Sequence, residues 1–111
     1  MIDNFEKTEL LLTMLKEALP IRANVTRYLA DELANKSPKV ILPNQCNIVD
    51  VVYTGDMGGI LCWLDGNEEN AKSPVVVSIT HLSFDRNIPL SRDIEAYQKH
   101  RVKKLKQQSR R

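Results

Sequence analysis

Apolar residues crowd the start of the chain. Phe5, Leu10, Leu11, Leu12, Met14, Leu15, Ala18 and Leu19, wound at about 100° per residue, cover more than half of a helix circumference. Asp3 with Glu6 three positions on reads as a capping box, and Pro20 closes the helix because its ring cannot sit in a helix interior. The apolar arc is broader than the stripe of an ordinary surface helix, so the helix is expected at the centre of the fold or shared with a second copy. Pro20 also fits the first turn of a second helix. Its apolar side would hold Ile21, Val25, Tyr28, Leu29 and Leu33, and it should end near Asn35, ahead of Ser37-Pro38.

From there the period shortens. Lys39 to Pro43 reads as a short edge strand. Asn47 to Thr54 alternates, with Val49, Val51 and Tyr53 on one face and Ile48, Asp50 and Val52 on the other. Gly55-Asp56-Met57-Gly58-Gly59 supplies a hairpin turn. Ile60 to Leu64 is apolar on both faces and is expected to be a central strand with Trp63 largely buried. A polar connection, Asp65 to Pro74, leads to a strand over Val75 to Leu82. After a loop from Phe84 to Leu90, Ser91 is placed to cap a final helix with Asp93 and Glu95 in its first turn. Ile94, Tyr97, Val102 and Leu105 would form its packing stripe. Elements of one kind cluster along the chain. The expected fold is therefore α+β: two N-terminal helices, an antiparallel meander of three or four strands, and one C-terminal basic amphipathic helix.

A chain of 111 residues is the size of one domain, expected over 1–111 with 99–111 as a basic helical tail. With 42% apolar and 27% charged residues it has the composition of a folded domain rather than a disordered segment. The most hydrophobic stretch, Leu10 to Leu15, falls far short of the roughly 18–20 residues that span a bilayer. The opening residues carry acid where a secretory signal would carry base. The expectation is a cytoplasmic protein with no membrane partner. Cys46 and Cys62 lack metal-site or C-x-x-C spacing and are expected to be free thiols in or beside strands. No cofactor and no metal site are expected.

Net charge is +2, but it is unevenly spread. Residues 1–90 hold 8 basic and 12 acidic side chains, whereas residues 91–111 hold 8 basic and 2 acidic. In the last helix Lys99, Lys103, Lys106 and Arg110 follow at spacings of four, three and four, which sets them on one ridge, with Arg101, Lys104 and Arg111 beside it. The ridge suits the negative end of its own helix, and equally an acidic protein or a phosphate backbone. It lacks the interleaved aromatics of single-strand RNA readers.

Catalytic signals are sparse. His81 ends a strand with Asp85 four residues on, and Asp50 interrupts an Ile/Val strand; together they form a candidate polar cluster for general-base chemistry. The glycine turn joins two strands and lacks the lysine and hydroxyl of a phosphate loop. No stretch carries a recognised family signature. The sequence therefore points to a non-enzymatic binding or protein-interaction module that self-associates or meets an acidic partner. A nucleic-acid-associated protein using the ridge is the alternative, and a small hydrolase or ribonuclease the second alternative.

Overall fold

The computed structural model describes residues 3–36, 44–55, 58–65 and 75–109. The expected strand at 39–43 lies outside the described residues, as does Arg110. Element order is α1 (Phe5–Ala18), β1 (Ile21–Val25), α2 (Arg27–Lys36), β2 (Gln45–Tyr53), β3 (Ile60–Leu64), β4 (Val75–Ser78), a 3-10 turn (Ile79–His81), β5 (Leu82–Ser83) and α3 (Ser91–Ser109). The α+β class is as expected, but the sheet has five antiparallel strands in the order β4-β3-β2-β1-β5. It is not a simple meander.

The largest correction falls on Ile21 to Val25, which the sequence suggested as the first turn of a helix. It is a strand between β2 and β5, with Ile21 and Ala23 buried. Its residues alternate apolar and polar, and two flanking strands satisfy its backbone groups. The second helix starts later, at Arg27. Thr26 precedes it and accepts the Leu29 N–H on its hydroxyl at 3.2 Å, in the manner of an N-cap. Asn4, not Asp3, caps α1, its Oδ1 accepting from the Lys7 N–H at 3.1 Å. Ser91 opens α3, but its hydroxyl donates to the Arg86 carbonyl at 3.3 Å.

The expected single strand from Val75 to Leu82 is broken in two. β4 and β5 lie on opposite edges of the sheet, yet only Ile79, Thr80 and His81 separate them. Four residue steps reach at most about 14 Å. Five flat strands would set their outer members about 19 Å apart. The sheet therefore curls until its two edges approach. The turn is clamped from both sides. Gln98 Nε2 donates to the carbonyls of Ile79 and Leu82, both at 2.7 Å, and the Thr26 hydroxyl donates to the His81 carbonyl at 2.7 Å.

The concave side of the curl holds the core. Leu15, Ile48, Ile60, Cys62, Leu64, Ile79 and Ile94 are almost fully shielded, with Leu11, Leu29 and Tyr97 around them. In β2 the alternation slips: a register shift between Ile48 and Asp50 leaves Val49 and Asp50 both exposed and returns Val51 to the inside beside Ile48. A bulge of this kind places two residues against one and shifts the phase of every side chain beyond it. The expected grouping of Val49 with Val51 is overturned for that reason.

Trp63 is the second correction. It is 39% exposed, because β3 turns Ile60, Cys62 and Leu64 inward and Leu61 and Trp63 outward. The position of β3 between two strands is as expected; its outer face is not covered among the described residues.

Candidate functional site

Three features carry the chemistry of the surface and core. The first is a sealed polar knot that joins the start of the chain to α3. The Asp3 carboxylate, 3% exposed, accepts on Oδ2 from the Tyr53 hydroxyl at 3.0 Å, the Tyr97 hydroxyl at 3.1 Å and the Arg101 guanidinium at 2.9 Å. The Tyr97 oxygen in turn accepts the Ile60 N–H at 3.2 Å. Burial, with the neighbouring Asp3 charge, pushes the Tyr97 hydroxyl above its ordinary range. Asp3 Oδ1 is left without a partner among the described residues. A Cβ on Gly59 would come within 2.6 Å of the Tyr97 oxygen and 2.7 Å of Arg101 Nε, so the absence of a side chain there makes room for the knot. The glycine turn thus admits the protein's own side chains to its backbone. Asp3, Tyr97 and Arg101 are all too shielded to meet a substrate, and the knot acts as a tie.

Arg101 was expected beside the exposed ridge; it is instead, with Asp3, one of the two buried charges among the described residues. The packing stripe of α3 is Ile94, Tyr97, Gln98 and Arg101, at the i, i+3, i+4 and i+7 spacing of one helix face. Val102 and Leu105, expected in that stripe, are 39% and 40% exposed. Residues 102 to 107 are all exposed.

The second feature is this outer end of α3. Lys99, Lys103 and Lys106 are exposed and line one side of an open notch of about 410 Å³, with Thr80, Gln98 and Val102 forming the rest. Lys99 Nζ lies 2.8 Å from Glu95 one turn earlier, and that bond holds the Glu95 carboxyl below the usual carboxylate range. The notch sits where α3 meets the 3-10 turn; Val102 is its one apolar lining residue, and three of the others are lysines. A second groove, of about 520 Å³, runs between α1 and α3 past Lys7, Leu10, Met14, Asp93 and His100.

The third feature is the convex face of the sheet. Asp50, Trp63 and Val76 are directly cross-strand from one another, and Val52, Leu61 and Ser78 form the next row. Val49, Val52, Trp63 and Val76 are between 39% and 46% exposed. Toward β1 the same face turns polar, with Arg22, Asn47 and Asp65. There Asp65 accepts from the Asn47 N–H at 2.6 Å and its side-chain amide at 3.1 Å.

The residues of the expected polar cluster lie in separate places. Asp50 is on the convex face beside Trp63, and its Oδ1 accepts the Val51 N–H at 2.8 Å. His81 closes the 3-10 turn with its ring tilted against Tyr28 at 5.1 Å. Asp85 accepts from the Asn24 side chain at 3.0 Å. No hydrogen bond or ion pair links the three among the described residues. Both cysteines are free and buried. Burial raises the Cys46 thiol to about 11, with Asp65 adding to it, and the Cys62 thiol to about 12, with Cys46 adding to it. Neither is a nucleophile at neutral pH. Among the described residues no group of three His, Cys, Asp or Glu side chains is placed to hold a metal ion. No helix there is long and apolar enough to cross a membrane.

No family model matches the chain, and neither a curated protein nor a solved structure is detectably similar to it.

Proposed function

We propose that this chain is a protein-interaction module that works by binding rather than catalysis and that associates with itself. The observation that carries this reading is Trp63, standing exposed in an apolar face with Val49, Val52 and Val76. Contiguous apolar surface of this kind, rimmed by polar residues, marks interaction sites in proteins that fold around a separate core. Aromatic side chains supply the largest share of binding energy at such sites. The test is mass in solution. Light scattering or sedimentation at tens of micromolar should give a mass above the 12.7 kDa of one chain, falling on dilution. A constant mass of one chain over that range overturns the reading.

A second reading, contact with nucleic acid, draws on Lys99, Lys103 and Lys106, with Arg110 continuing their sequence spacing. Each phosphate contact would add about 0.9 to the slope of log K against log salt on duplex DNA. Oligonucleotide anisotropy at two salt concentrations tests it; no binding at low salt removes it. The cluster of Asp50, His81 and Asp85 supports a hydrolase or ribonuclease least.

A further inference from the structure

Resting on the reading of self-association, we infer that the interface joins two unlike surfaces: the Trp63 side chain of each copy enters the α3 notch of the other. The two surfaces are opposite in charge, and each pairs that charge with an exposed apolar side chain. The donor face presents a large indole with Asp50 directly beside it on the neighbouring strand and Val76 on the other side. The notch presents the exposed Val102 and a rim of Lys99, Lys103 and Lys106 around a volume of about 410 Å³. An indole seated there covers its apolar faces against Val102 and meets ammonium groups, which are attracted to the ring face. The same seating brings Asp50 up to the lysine rim. The match agrees in sign with the uneven charge of the chain, net −4 over residues 1–90 and +6 over residues 91–111.

The occupant is a second copy because this chain itself carries both halves. Within one copy they cannot meet. Trp63 points away from the concave side, where α3 packs through Ile94 and Tyr97. Both halves lie toward the β4 side of the sheet: Trp63 pairs with Val76 of β4, and Thr80 of the notch follows two residues after β4 ends. With this donor and this notch on each chain, reciprocal insertion about a two-fold axis uses both and closes at a dimer. The lysines then serve a protein partner, and the ridge needs no phosphate backbone to explain it.

A charge-exchange experiment on the full chain tests the pairing. Asp50→Lys alone and Lys103→Glu alone should each weaken dimerisation by at least about tenfold, by adding like charges across the contact. The double variant, in which Lys and Glu exchange places, should recover most of that loss. Trp63→Ala should leave a monomer. Lys103→Glu should melt close to the wild type, since Lys103 is exposed; Asp50→Lys gives up the acceptor of the Val51 N–H and Trp63→Ala the covered part of its ring, so their circular dichroism spectra serve as the check that both remain folded. If the wild type dimerises and Trp63→Ala and Lys103→Glu dimerise equally well, this interface is wrong while self-association stands. If the wild type is a monomer, both readings fall together. If Lys103→Glu leaves the mass unchanged but abolishes oligonucleotide binding, the notch belongs to nucleic acid and the pairing is overturned.

Discussion

Asp3 and Arg101, 98 positions apart in the chain, form an ion pair of 2.9 Å in which the two side chains are 0% and 4% exposed. A pair this deep draws its worth from completeness. The Tyr53 and Tyr97 hydroxyls bind the same carboxylate oxygen, and losing any one member leaves a charge or a donor stranded away from water.

Removing Arg101 alone, as Arg101→Met, should therefore cost about 3–5 kcal/mol of stability. Asp3→Leu combined with Arg101→Met should cost much less than the sum of the two single changes, because it strands no charge. Urea unfolding of the three variants against wild type gives the comparison. Additive losses would mean that the pair does not act as a unit.

Gly59→Ala should destabilise more than Gly55→Ala. Both glycines have positive φ, 66° and 77°, where a side chain costs roughly 1–2 kcal/mol. Only at Gly59 would the added methyl also collide with Tyr97 and Arg101; at Gly55 it meets nothing within 4 Å. Denaturation midpoints should separate the two variants by a further 1–3 kcal/mol, roughly the cost of overpacking.

The thiols make a pH-dependent contribution. Unfolding lets Cys46 and Cys62 ionise near their ordinary value of 9.0, whereas in the fold they hold their protons to about 11 and about 12. Above pH 9 the unfolded chain therefore binds fewer protons than the native one, and stability must fall as pH rises. Their contribution is intact below pH 9 and is lost through the window up to about 12. Cys46→Ala with Cys62→Ala should flatten that fall. A thiol reagent at pH 8 should count close to zero in native protein and two after denaturation.

Along α3, Ile94 and Leu105 should behave differently under the same kind of change. Ile94 is fully buried, so Ile94→Ala should cost about 2–5 kcal/mol. Leu105 is 40% exposed, and Leu105→Asp should cost no more than about 1 kcal/mol, the penalty of a poor helix former near the helix C-terminus. Thermal melts of the two variants decide it; a large loss at Leu105 would place the outer end of α3 against the body.

Thr26 joins two elements through one hydroxyl, which accepts from the Leu29 N–H and donates to the His81 carbonyl. Thr26→Ala should cost about 1–2 kcal/mol, in the range of a lost cap and more than a surface threonine would give. Thr26→Ser should recover most of it. Equal losses in the two would point to the methyl group instead.

The first and last helices and the glycine hairpin were legible in the sequence, because each is written in a run of neighbouring residues. β1 was not. Its five residues alternate correctly, but Ile21 and Val25 also fit a helical spacing with Tyr28 and Leu29, and only the neighbours supplied by β2 and β5 decide between them. The bulge at Val49 and Asp50 shifts the phase of a strand from inside it, so counting alternate residues assigned the wrong partner to Val51. Arg101 read as one more ridge charge, since nothing local distinguishes a lysine-rich surface from a single buried arginine whose acid lies 98 residues away. Trp63 followed the rule that a large aromatic in an interior strand is covered. That rule holds only when both sheet faces have something packed on them.

The position of β1 between two strands that come later in the chain has a consequence for biosynthesis. When residues 21–25 leave the ribosome, their first neighbour, β2, does not begin until residue 45, and their second, β5, comes at residue 82. During that interval the strand offers unpaired peptide groups on both sides and then on one, the exposure that attracts chaperones and invites wrong pairing between nascent chains. The sheet closes only once β5, at residues 82–83, has emerged, so slowing translation before that point should do little to help this protein fold, whereas shielding its early segments should.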